Sequence, residues 1–313
     1  MAFAADNPAP ADSATAKAAA AAAVSKVKKL AIGKNAVPPG KLIFAPFKDE
    51  LFGYPKVLST NDDGSRIVVD FSAKRDLDGR DAVPQTRAMP DRIAPVEKSQ
   101  QDLVLSDAGI TLPFIEVGDL TKPAKLAFIF VHGAGGNRFQ GVDDNTFGGN
   151  FNRAKNLVTR AGGVYLSPGL TDETDKGAAQ VKLLMREFAK HSPGAPIYVA
   201  CSSNGGRLCM RLLEDPASVQ LLGGMFFLGA ITSTGIFGTT IPKIGRVPIY
   251  VGAGSADTIV SARSADRLYK GLKARDPGYP IHVVIFKSGK HGTPMRMIDW
   301  RTELNWMVGA AGR

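Results

Sequence analysis

"IYVACSSNGGRL", residues 197–208, opens as an apolar β-type run, passes two adjacent serines and two glycines, and turns leucine-rich. A serine hydroxyl is a weak nucleophile until a base takes its proton and the backbone presents it clear of the fold. A sharp strand-to-helix turn achieves this, provided that the residues two before and two after the serine are small. Ser203 has Cys201 before it and Gly205 after it, whereas Ser202 has Ala200 and the larger Asn204. The spacing selects Ser203. Leu208, Cys209, Leu212 and Leu213 then recur at helical spacing, which completes the order strand, serine, helix. On this segment alone a plainer reading stays open, in which the serines cap a helix.

Three further stretches surround it. In "FIFVHGAGGNR" (128–138) an apolar strand runs into His132-Gly133-Ala134-Gly135-Gly136. Glycines there let backbone N–H groups converge on a developing oxyanion, because no Cβ blocks the approach. A phosphate loop is excluded as a full match, since Arg138 stands where G-x-G-x-x-G needs its last glycine. In "VPIYVGAGSADTIV" (247–260) a strand is followed by a small-residue turn and Asp257, an acid placed to orient a histidine. In "VVIFKSGKHGTP" (283–294) His291 follows the last strand in a glycine-flanked loop. The other histidines are placed differently: His132 belongs to the glycine motif, His191 ends a helix and His282 opens a strand at the opposite edge of the sheet.

The elbow C-S-S-N-G, the oxyanion motif HGAGG, the acid in GSAD and the histidine in GKHG stand in an order that resembles the α/β-hydrolase superfamily over roughly residues 105–313. The resemblance implies a Ser203-Asp257-His291 triad. It also implies oxyanion donors from the backbone N–H of Asn204 and of a residue among Ala134, Gly135 and Gly136. The expected activity is cleavage of small-molecule or polymer carboxylic esters through an acyl-enzyme. Peptide, amide or thioester cleavage by the same groups, and a non-catalytic binding protein on the same scaffold, are the alternatives. Two departures stand out: Cys201 occupies the position where the family most often has glycine, and only "AITSTGIFGTTIPKIGR" fills the place where many members insert a helical cap. The second predicts an open site, with the Gly- and Asn-rich stretch 137–152 as one wall.

The expected fold is α/β: a mostly parallel central sheet flanked by helices, with N-terminal antiparallel strands and no large cap domain. The parallel strands are read at "KLAFIFV", "GGVYLS", "PIYVAC", "GGMFFLG", "VPIYVGA" and "IHVVIF". A helix carrying Val181, Leu184, Met185 and Phe188 on one face lies between two of them. Residues 39–313 form the catalytic domain, of which 39–104 is a β-rich extension. It includes "KLIFAPF" (41–47) and a hairpin turned at Asn61-Asp62-Asp63-Gly64. Residues 1–38, rich in Ala and Pro, read as a tail.

Across 313 residues, 44% hydrophobic and 22% charged, the composition fits a protein with a sizeable core. The net charge of +10 is read as a solvated basic surface and not as a specific nucleic-acid site, because no dense basic tract carries interleaved aromatics. No run of eighteen apolar residues suggests a transmembrane helix. "AFA" followed by "AD" near the start resembles the end of a trimmed export signal, implying a periplasmic or secreted protein; a plain tail on a cytoplasmic protein is the alternative. Cys201 and Cys209 fit no metal or redox spacing and are expected as buried thiols, with a disulfide as the second reading. No metal or organic cofactor is implied, and Asp143-Asp144 reads as a loop turn. Oligomeric state leaves no mark in the sequence.

Overall fold

In the central strands, successive side chains point to opposite faces, and in this chain both faces are apolar. The computed structural model describes residues 42–61, 63–77, 95–96, 100–233 and 246–311. In chain order the strands and helices are β1 (Val57–Thr60), β2 (Arg66–Val69), α1 (Ala73–Leu77), β3 (Gln100–Asp107), β4 (Ile110–Val117), β5 (Ala127–Val131) and α2 (Asn150–Arg160). They continue with β6 (Val164–Pro168), α3 (Asp175–His191), β7 (Ile197–Ser202), α4 (Gly206–Glu214), α5 (Pro216–Val219) and β8 (Leu222–Leu228). The last are β9 (Ile249–Gly254), α6 (Ala262–Arg275), β10 (Ile281–Phe286), α7 (Thr293–Met297) and α8 (Trp300–Ala311).

Among the described residues ten strands form one sheet in the order β1-β2-β10-β9-β8-β7-β5-β6-β4-β3. The run from β10 to β6 is parallel, and β2 joins β10 in parallel as well. β1 with β2, β3 with β4, and β4 with β6 are antiparallel. This is the expected mixed sheet, with the antiparallel strands at its two edges.

Ala127, Ile129 and Val131 of β5 pack with Val181, Leu184, Met185 and Phe188 of α3, the face read from sequence, and with α4 and α6. Phe128 and Phe130 point the other way, into a second core with α2, α7 and α8. There the Trp300 ring meets Phe128 edge-on at 5.2 Å and Phe226 at 5.3 Å. No helix of the described residues is long and apolar enough to cross a membrane.

The N-terminal reading needs one correction. Residues 42–46 form no strand; β1 begins at Val57 instead. Leu42 and Phe44 are buried as expected of an apolar run. The Phe44 N–H, however, donates to Asn305 Oδ1 at 2.9 Å, and its carbonyl accepts from Arg301 Nε and Asn305 Nδ2. Side chains of α8 thus take the place of a neighbouring strand. The hairpin between β1 and β2 is where the sequence puts it, with the Asn61 N–H on the Arg66 carbonyl at 3.0 Å. The stretches 1–38 and 234–245, where a tail and part of a short cap segment are expected, lie outside the described residues.

Candidate active site

The two serines at the end of β7 have opposite fates. Ser202 is 1% exposed, with its Oγ turned toward the Val131 carbonyl at 3.5 Å. Ser203 is half-buried and has φ of 49°, a left-handed conformation that non-glycine residues rarely adopt. It opens a tight turn, Ser203–Gly205, that leads directly into α4. The glycines after it are there for clearance. A Cβ at Gly205 would lie 2.5 Å from the His132 carbonyl oxygen, and one at Gly206 would overlap the Ile231 carbonyl.

Cys201 departs from the usual glycine without crowding the turn, because its side chain is bonded to Cys209. The two cysteines form a disulfide with Cα atoms 6.2 Å apart. Both point into the core on the α4 side of the sheet, the consequence of strand alternation in β7 and of the inward face of α4. This corrects the expectation of two free buried thiols. The bridge spans the elbow and ties the strand before Ser203 to the helix after it. For so short a loop, removing it in Cys201→Ala/Cys209→Ala costs about 2–3 kcal/mol and lowers Tm by about 5 °C. Thiol titration of unfolded protein is expected to find no free thiol before reduction.

The glycine loop after β5 packs against the same turn. A Cβ at Gly133 would sit 2.7 Å from Ser203 Cβ, so this glycine permits the close approach. His132 organises the loop: its Nδ1–H donates to the Gly133 carbonyl at 2.9 Å, and its Nε2 accepts from the Leu170 N–H at 3.3 Å. The Gly136 N–H is committed to the Gly133 carbonyl at 3.0 Å. Ala134 and Gly135 form the exposed tip, with Gly135 at φ 72°. Asn204 follows Ser203 in the first turn of the elbow, where helix-start N–H groups point outward.

Asp257 and His291 meet across the loops that follow β9 and β10. His291 Nδ1 donates to Asp257 Oδ2 at 2.8 Å; the Asp257 side chain is fully buried and that of His291 is 24% exposed. Asp257 Oδ1 accepts from the N–H groups of Ile259 and Val260 at 2.8 and 2.9 Å, so both carboxylate oxygens are engaged. The two loops are pinned together by the Ala256 N–H on the Gly289 carbonyl at 2.9 Å. Residues 229–231, after β8, join this pair to the elbow. The Ile231 N–H donates to the Ser203 carbonyl at 2.9 Å, while a Cβ at Gly229 would lie 2.8 Å from the His291 carbonyl. Among the described residues Ser203 Oγ forms no hydrogen bond.

The remaining histidines are occupied elsewhere. His191 Nε2 lies 3.0 Å from Glu187 Oε1, one turn away on α3. His282 stands at the amino end of β10, stacked on Trp306 at 3.6 Å with Nδ1 3.0 Å from Glu303 Oε2. In the 137–152 stretch Asp143 Oδ1 caps a turn by accepting from the N–H groups of Asn145 and Thr146, and Asp144 pairs with buried Lys155 at 2.8 Å. Three features at this end of the sheet had no reading in the sequence: the contact of Gly133 with Ser203, the bridging role of Gly229 and Ile231, and the position of Arg296, whose guanidinium lies over the Phe147 ring at 5.1 Å.

Solved structures share this architecture. A thermostable esterase aligns with a TM-score of 0.52 at 14% identity, over 67% of this chain and 62% of its own length. A ferulic acid esterase from the anaerobic fungus Anaeromyces mucronatus aligns with a TM-score of 0.51 at 11% identity, covering 71% of this chain and 96% of that one. An esterase of Pyrococcus furiosus aligns with a TM-score of 0.50 at 14% identity, over 68% and 92%. No family model matches the sequence, and no curated protein does. The chain has the α/β-hydrolase fold.

Proposed function

We propose that the chain is a serine hydrolase that cleaves carboxylic esters through an acyl-enzyme. The observation that carries this reading is the buried Asp257 hydrogen-bonded to His291 at the same sheet end as Ser203, itself held at positive φ. Ser203 Oγ attacks the ester carbonyl carbon while its proton passes to His291 Nε2. The oxyanion of the tetrahedral intermediate accepts N–H bonds from Asn204 and from the Ala134–Gly135 tip. Collapse breaks the bond to the alcohol oxygen, which takes the proton from His291. Water then repeats the sequence on the acyl-enzyme, releasing the acid and restoring Ser203. Because the Gly136 N–H is already bonded within the loop, the tip residues are the better donors.

The esterases named above support ester over amide cleavage. A series of p-nitrophenyl esters of rising chain length, set against matched p-nitroanilides, tests this directly: turnover of the esters with little of the anilides is expected. Asp257→Asn is expected to lower kcat on the order of 10⁴-fold with little change in Tm, because the amide favours the wrong histidine tautomer. Retention of more than about a tenth of the rate by a normally melting variant contradicts the orienting role. The Cys201–Cys209 bridge supports the reading that the chain works in an oxidising compartment, periplasmic or extracellular.

A further inference from the structure

Ser203 and Asn204, the proposed nucleophile and the proposed oxyanion donor that follows it, both lie in the segment that the Cys201–Cys209 bridge encloses. Each end of the bridge is fixed by its own element. Cys201 sits between two parallel neighbours, paired with Val131 of β5 on one side and Phe227 of β8 on the other. Cys209 lies on the inward face of α4, in one core cluster with Leu208, Leu212 and Leu213. Both cysteines are 0% exposed, so the bridge is shielded from reductants in the folded protein and acts as a permanent staple.

Past Ser203 the turn is poor in side chains that could hold it. Ser203 itself stands at φ 49°, a conformation that costs free energy and persists only where its surroundings over-determine it. Gly205 and Gly206 follow, present because a Cβ would run into the His132 and Ile231 carbonyls, and neither offers a side chain to pack. Clearance of that kind permits the turn without enforcing it. The Ile231 N–H on the Ser203 carbonyl at 2.9 Å is one restraint. The bridge is a second, and it is covalent.

We propose that Cys201 and Cys209 are positioning residues for the reaction: their bridge fixes Ser203 Oγ and the Asn204 N–H relative to each other and to His291, over and above its contribution to stability. On the serine-hydrolase reading, on which this rests, attack needs Oγ about 3–3.5 Å from the ester carbonyl carbon, and a misplacement of about 1 Å costs on the order of 10²-fold in rate. The position two before the nucleophile must be small. This chain places there a small residue that also ties strand to helix. Loosening the elbow leaves the walls that bind substrate in place, so the loss falls on kcat and on nucleophile reactivity and spares KM.

The test measures kcat and KM on p-nitrophenyl acetate, the rate of fluorophosphonate labelling, and Tm, for Cys201→Ala/Cys209→Ala and for Cys209→Ala alone, with rates taken well below each variant's own Tm. Val158→Ala, a fully buried position in the core on the other face of the sheet, is the control for lost stability. Both cysteine variants are expected to lose on the order of 10²-fold in kcat and in labelling rate, with KM within about threefold of wild type. Val158→Ala is expected to keep the wild-type kcat and labelling rate. The inference is overturned if the double variant keeps kcat within about threefold of wild type. It is equally overturned if Cys209→Ala does so while the double variant does not, since the effect then belongs to the Cys201 side chain and not to the bond. Loss of kcat in Val158→Ala as large as in the cysteine variants overturns it too, because stability alone then accounts for the change. In each of these cases an active, labelled wild-type protein leaves the serine-hydrolase reading standing. Folded wild-type protein that neither turns over the ester nor takes the label overturns that reading and the inference with it.

Discussion

Ser203→Ala is expected to lower kcat on an activated ester on the order of 10⁶-fold, the loss seen when the nucleophile of a serine triad is removed. Ser202→Ala remains active. The difference follows from one residue of register at the end of β7. Alternation along the strand leaves Ser202 Oγ buried beside the Val131 carbonyl, and the turn at φ 49° lifts Ser203 out of the sheet. The strain in that turn is held by clearance at Gly205 and Gly206, by the Ile231 N–H on the Ser203 carbonyl, and by the disulfide across the elbow. Alanine keeps this backbone while deleting the hydroxyl, so the variant should melt at the wild-type temperature. Steady-state rates with a melting curve separate loss of chemistry from loss of fold. An active Ser203→Ala would require another nucleophile.

His291→Ala is expected to lose a similar factor, on the order of 10⁶-fold, since in a triad the base and nucleophile act as a unit. Asp257 sets the orientation of the ring. Its Oδ1 is held by two backbone N–H groups, so its Oδ2 faces His291 Nδ1 in a fixed direction and Nε2 is left to accept a proton. His191→Ala should remain active, because among the described residues that ring bonds only to Glu187 on its own helix. His282→Ala should cost stability more than turnover. It leaves Glu303, already pushed up in pKa by burial, without its imidazole partner at the far end of the sheet. Rates for the three variants on one ester, each below its own Tm, check the assignment; loss of activity in His282→Ala at a temperature where it is folded would place the base elsewhere.

The central strands were legible because both their faces are buried, so each reads as an unbroken apolar run bounded by turn residues. The edges were less so. Residues 42–46 are as apolar as a strand, yet the backbone partners of Phe44 are side chains of Arg301 and Asn305, more than 250 positions away, which local pattern does not reveal. At the site, residue size points to Ser203, the serine that the structure holds at φ 49°, and the order of motifs points to Asp257 and His291, which the structure brings within 2.8 Å of each other. What local reading missed depends on distant parts of the chain meeting. The pairing of Cys201 with Cys209 needs the side of the sheet on which α4 lands. The seam through Gly229 and Ile231, and the placement of Arg296 over Phe147, need the loops after three different strands to converge.

Ser203 is proposed to be a nucleophile activated in place. Treating the folded protein with a fluorophosphonate, then measuring intact mass and mapping the modified peptide, tests it most directly. A single adduct is expected, located on Ser203, that Ser203→Ala abolishes and His291→Ala greatly slows. Absence of an adduct on protein shown to be folded, or an adduct on Ser202 or any other residue, would contradict it.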